Sequence, residues 1–304
     1  MNQEELIRII EEEIRLGLSP AQPSPVPAPQ EAPAQATGEP AGPAPAHSNA
    51  ARPSRGARPA GAVEAAPAGR GDTQALLQRI KASTSARVGI GRAGPRLRTD
   101  TLLTFRADHA AARDAVLKEV DPGLLEQMGL FSVQSRCRTL DEYLTRPDLG
   151  RQLSEESAQI LKERCKARPT VQVFAGSGLS STAIEANLKD ILPAILEGLQ
   201  QQGIGTGTPF YARLARVGLE DAVSELLDAE VVCLLVGERP GLMSAESMSA
   251  YIAYRATVGM PEARRTVVSN IHKDGIPAVE AGAYIADVIG HILKAKASGV
   301  DLKR

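Results

Sequence analysis

The 304-residue chain contains no tryptophan, and aromatic residues make up only 3% of it. That leaves few stacking platforms, so single-stranded nucleic acid and sugars are poor candidate ligands. Charge of one sign is also missing in excess, since 35 Lys and Arg stand against 36 Asp and Glu. Without a basic field there is no electrostatic case for a nucleic-acid or anionic-lipid partner. No apolar run approaches the ~20 residues of a membrane span, and the acidic N-terminus lacks the basic-then-apolar order of a secretion signal. The three cysteines, Cys137, Cys165 and Cys233, are odd in number and follow no metal-ligand spacing. They read as reduced core or surface thiols of a cytoplasmic protein. His-x-x-x-His, Cys-x-x-Cys, P-loop and Ser-His-Asp patterns are all absent, so no catalytic residue and no metal ligand is assigned.

What is present centres on Val231 to Leu242, VVCLLVGERPGL. Six apolar residues without polar alternation suit a strand buried on both faces, and open α/β sheets collect ligands beyond the carboxyl ends of such strands. Glu238, immediately after Gly237, is therefore expected to look into a site.

Composition divides the chain into four parts. Residues 1–18 carry Ile7, Ile10, Ile14 and Leu18 on one helical stripe among acidic residues, the pattern of a short amphipathic docking helix. Residues 19–70 hold twelve of the 21 prolines, Pro20 to Pro67, with abundant alanine and glycine. Such a segment cannot offset its ordering entropy and reads as a disordered tether. Residues 71–167 read as a smaller, helix-rich subdomain. Residues 168–304 alternate strand and helix, with strands at Val171–Phe174, Pro209–Leu214, Val231–Val236 and Arg265–Ser269. Helices are expected at Thr182–Gln201, broken or bent near Pro193, and at Leu219–Leu227, Ala245–Tyr254 and Val279–Ala297. The fold class that follows is α/β, a Rossmann-like parallel sheet with flanking helices.

Two glycine patterns could suggest a nucleotide. Gly89-x-Gly91-x-x-Gly94 follows a helix and meets Pro95 at once, the wrong context for a dinucleotide fingerprint; Arg92, Arg96 and Arg98 beside it suit phosphate, carboxylate or subunit contacts. Gly176-x-Gly178-x-x-Ser181 does join a strand to a helix, but it lacks the third glycine and the acidic residue that would take a ribose. A stand-alone NAD(P)-binding oxidoreductase is the alternative these loops favour. A non-enzymatic microcompartment assembly module is the one favoured by the helix and tether. Asn270-x-His272-x-x-Gly275 approaches the pattern with which some cobalamin proteins supply an axial histidine, but Asn replaces the orienting Asp. His272 is expected to hold the turn after a strand instead.

Several segments taken together, ARVGIGRAGPRLRTDTLLTFRADHAAARDAVLKEV, YLTRPDLGR, GTGTPFYARLARVGLED, LLVGERPGL and SNIH before a Pro-Ala-Val-Glu helix, resemble the small (light) subunit of ethanolamine ammonia-lyase. The resemblance runs in consistent order from about Arg79 to the C-terminus. It implies an adenosylcobalamin-dependent enzyme that converts ethanolamine to acetaldehyde and ammonia, with radical chemistry in a large subunit and this chain covering the cobalamin at the interface. The chain alone is then expected to be inactive. The leading helix resembles the extension that, in some members, directs the enzyme to a microcompartment shell. Carried over motif to motif, the cobalamin contacts fall on Val217, Glu238 and Val267. Relatives often have Cys at the position of Val267 and Asp at that of Ser177, so the roles of those side chains are not carried over.

Overall fold

The computed structural model describes residues 70–303 apart from Ser85 and Met243. The expected docking helix at 1–18 and the tether at 19–70, up to its last residue, lie outside the described residues. Helix α1 (Arg70–Ala82) leads to a hairpin of β1 (Arg92–Ala93) and β2 (Arg96–Leu97), then to α2 (Thr99–Leu117) and α3 (Pro122–Gln127). The first glycine pattern is thus spent on a hairpin: Gly94 turns it at φ +62°, a left-handed conformation that suits glycine.

Six further strands form one sheet. They are β3 (Phe131–Gln134), β4 (Val171–Gly176), β5 (Phe210–Arg213), β6 (Val231–Gly237), β7 (Met248–Tyr254) and β8 (Thr266–Ile271), in the spatial order β3-β5-β4-β6-β7-β8. The first four are parallel, but β7 runs antiparallel to both β6 and β8. The expectation of a parallel sheet is therefore corrected to a mixed one. The cause lies in Ala245–Tyr254, expected as a helix: only ten residues separate Gly237 from Met248, too few for a crossover, so the chain turns back as a strand. Alanines at 250 and 253 favour a helix locally, and pairing with β6 over all seven residues overrides them.

The parallel half alternates with α4 (Leu140–Thr145), α5 (Glu155–Arg164), α6 (Ser181–Gln201) and α7 (Leu219–Leu227), and α8 (Ala278–Ala295) closes the chain. Ser154 caps α5 by accepting from the Ser157 N–H at 3.1 Å. Helix α6 is continuous through Pro193 rather than broken there. The proline stands on the exposed side, where the carbonyl left without its donor can meet water.

The run at 231–236 is apolar throughout because both faces of β6 are covered. Val231, Cys233 and Leu235 pack with α6 and α8, while Val232, Leu234 and Val236 pack with residues of α5 and α7. Helices α5 and α7 cover the second face over β3 and β6. Over β8, Val267 and Ser269 on that face stay exposed, whereas Val268 and Ile271 on the other face are buried. All three cysteines are free and buried.

Candidate functional site

Beside this open patch, at the carboxyl ends of the parallel strands, is a cavity of about 480 Å³. Its walls come from three strand ends and the bare sheet face: Gly178 and Leu179 after β4, Ala215 to Val217 after β5, Val236 to Arg239 at β6, and Ser249, Tyr251, Val267 and Ser269 from β7 and β8. The chain leaves β4 for β5 on one side and crosses back to β6 on the other. That reversal of strand order opens the crevice in which ligands of such sheets bind.

The floor is backbone packed on backbone. A Cβ on Gly237 would lie 2.1 Å from the Ser180 carbonyl oxygen, and one on Gly178, at φ +59°, would lie 2.3 Å from that of Gly237. The second glycine pattern therefore serves the close approach of β4 and β6, with the Leu179 N–H donating to Gly237 O at 3.0 Å. Tyr143 of α4 adds the side wall. Its hydroxyl lies 2.6 Å from Gly178 O and 3.2 Å from Ala215 O, and burial pushes the phenol up to about 12. Arg216 stacks 4.3 Å above the Tyr143 ring and donates to the Tyr143 carbonyl at 2.7 Å.

Glu238 is half-buried at the rim, and its carboxylate is held in place by this chain. Oε2 accepts from Ser247 Oγ at 2.8 Å, and Oε1 accepts from Ser249 Oγ at 2.5 Å and from the Asn270 N–H at 3.0 Å. No lysine or arginine among the described residues pairs with it, so it is not a surface ion pair with the neighbouring Arg239. A carboxylate offers about four acceptor positions, so three donors orient it and leave capacity for a ligand N–H or O–H. Burial, and after it the Glu238 charge, pushes the Tyr251 phenol upward.

The three residues named from the sequence, Val217, Glu238 and Val267, all line this one cavity. Tyr143, Ser249 and Tyr251 line it too and were missed, as was Ser247, which orients Glu238. The signal for the serines is their spacing: Ser247 just before β7 and Ser249 within it are two residues apart and both reach Glu238, which is informative only once 248–254 is known to be a strand. Ser177 Oγ is buried without a hydrogen-bond partner and borders a neighbouring cavity of about 330 Å³. Arg92, Arg96 and Arg98 are exposed and line neither cavity.

His272 holds the turn after β8. Its Nδ1 faces the Asp274 N–H at 3.3 Å and must accept, which leaves Nε2–H to donate to Asn270 Oδ1 at 2.9 Å. Asn270 takes φ +62°, and a Cβ on Gly275 would lie 2.2 Å from its carbonyl oxygen.

Comparison with known proteins agrees with the motif resemblance. Residues 74–303 match the family model described as Ethanolamine ammonia-lyase light chain (EutC). The chain is 63% identical over 225 residues to the ethanolamine ammonia-lyase small subunit of Fusobacterium nucleatum, covering 74% of this chain and 76% of that one. It is 58% identical to that of Clostridium tetani over the same shares, and 55% identical to that of Clostridium perfringens over 232 residues, 76% of this chain and 78% of the other.

Proposed function

The chain belongs to the ethanolamine ammonia-lyase light-chain family, and from that premise we propose that it binds adenosylcobalamin against a large catalytic subunit. The observation that carries this reading is the convergence of Val217, Glu238 and Val267 on one cavity. The residues fit the cofactor chemically: Glu238 keeps acceptor capacity for a side-chain amide of the corrin, while Val217, Val267 and the Tyr251 ring offer apolar contact to its methylated edge. When bound, the cofactor supplies radical chemistry that no side chain can. This chain's own part is to orient the group and exclude water from it. Among the cavity residues, Glu238 acts as a hydrogen-bond acceptor and not as an acid or base, because its oxygens already face three donors.

The test is cobalamin titration of the complex formed with the large subunit. Glu238→Ala should weaken cofactor binding by roughly ten- to a hundredfold. Because Ala also strands the Ser247 and Ser249 hydroxyls and the Asn270 N–H, Glu238→Gln is measured beside it, keeping one acceptor oxygen without the charge. Its loss should be intermediate. An unchanged titration in Glu238→Ala would sink the reading. The stripe of Ile7, Ile10, Ile14 and Leu18 supports a further role for residues 1–18 in docking to a microcompartment shell, and deleting them should abolish shell capture while sparing lyase activity.

A further inference from the structure

Arg265, the residue before β8, is buried with its side chain only 1% exposed, and it is surrounded by carboxylates. Its Nη2 donates to both oxygens of Asp221 at 2.7 and 2.8 Å, its Nε donates to Glu220, and its Nη1 donates to Glu262 at 2.8 Å. Glu220 is fully buried and Asp221 nearly so, while Glu262 lies at the exposed end of the cluster. The outer end is extended by Arg151, which approaches Glu262 at 4.0 Å and would meet a Cβ on Gly218 at 3.1 Å.

The cluster joins two places that the chain otherwise keeps apart. Glu220 and Asp221 open α7 directly after the Val217-Gly218 turn, and the Glu220 N–H donates to Val217 O at 3.1 Å. Arg265 stands two residues before Val267, which pairs with Tyr251 across β7 and β8. Both Val217 and Val267 line the cavity, on opposite elements with no backbone pairing between them. We propose that Arg265 is a positioning residue that, through its buried fork to Glu220 and Asp221, fixes the Val217 turn against the Val267 strand and so sets the spacing of two cavity walls. That this spacing serves cobalamin rests on the function proposed above.

The chemistry favours positioning over bulk stability. Replacing a buried ion cluster by apolar side chains of similar volume is often neutral or stabilising, so such a cluster is a weak stability device. A planar guanidinium, in contrast, fixes direction as well as distance, because its donors lie in one rigid fork. Pre-set walls spare the ligand the cost of ordering them.

The experiment uses the full chain in complex with the large subunit, and compares Arg265→Lys with wild type by amide hydrogen exchange without cofactor and by cobalamin titration. Lys keeps the charge but cannot span both carboxylates. Exchange at Leu219 and Glu220 should rise together with exchange along β8, while β4 stays protected, and cofactor affinity should fall by about tenfold. If Arg265→Lys does not fold, Asp221→Asn, which leaves the buried guanidinium in place with one weaker acceptor, should give the same paired loosening. Unchanged exchange at both segments overturns the proposal. So does an affinity unchanged in the clamp variants but lowered in Glu238→Ala. Affinity unchanged in all of them overturns the cobalamin reading instead, and the exchange data then judge the clamp alone.

Discussion

The two halves of the sheet are built under different constraints. In the parallel half, β3, β5, β4 and β6, each link between parallel strands must cross a face of the sheet, so helices cover both sides of the inner strands, while the edge strand β3 keeps Ser132 exposed. Strands β4 and β6 are buried at every residue. In the antiparallel half, β7 and β8 are joined without helical crossovers, β7 stays largely buried, and β8 mixes exposed residues with buried ones. The parallel half thus holds the fold together, and the antiparallel half presents a surface. The cavity forms where they meet.

The sharpest way to break this contrast is to empty one side chain from each half. Leu234→Ala, in a fully buried position of β6, should destabilise the chain by about 3–5 kcal/mol, measured by denaturant unfolding. Gly237→Ala comes next. Its methyl would press on the Ser180 carbonyl, and forcing the two backbones apart should cost about 1–3 kcal/mol while misplacing Glu238, so stability and cobalamin affinity should fall together.

A smaller effect sharpens the boundary. Burial pushes the Glu220 carboxyl up to about 8, against the opposing pull of Arg265 and with Asp221 and Glu262 adding to the rise. Desolvation outweighs the pull of Arg265 here, and the second Glu220 oxygen is buried with no donor. Cys233 and Tyr251 also sense this carboxyl, and burial raises both. The folded chain then holds a proton that the unfolded chain releases near the ordinary 4.5. Stability is therefore fully present below that value and is lost as pH rises towards about 8. Glu220→Gln should flatten this decline in melting temperature, and equal slopes in the two proteins would contradict it. The smallest change is Val267→Ala, at a position 44% exposed, which should alter stability by no more than about 0.5 kcal/mol. A loss approaching that of Leu234→Ala would end the distinction between the halves.

The same contrast explains what could be read from the sequence. Apolar composition at 231–236, and at 171–174 apart from Gln172, identifies β6 and β4, because both strands are buried on both faces. Strand β3 escapes notice since FSVQ is four residues long, with Ser132 exposed. Strand β7 is misread because Met248 and Ile252, four residues apart, satisfy helical as well as strand spacing over so short a length. Within the site, Glu238 is legible as the first residue past a buried strand, and Val217 and Val267 come from the family motifs. Tyr143 lies 35 residues before Gly178, and nothing local announces that its hydroxyl reaches that carbonyl. Ser247 and Ser249 depend on the strand that was not recognised.

The three sealed cysteines provide the chain with its own reporters. Burial holds the Cys165 thiol near 11 and raises those of Cys137 and Cys233 as well, so a thiol reagent meets almost no thiolate until the surrounding structure opens. Cys233 lies in β6, paired with Ile252 at the seam of the two halves, while Cys137 and Cys165 lie beyond β3 and at the end of α5. The order in which the three are labelled would therefore time the opening of seam and edge separately, without adding a probe to the molecule.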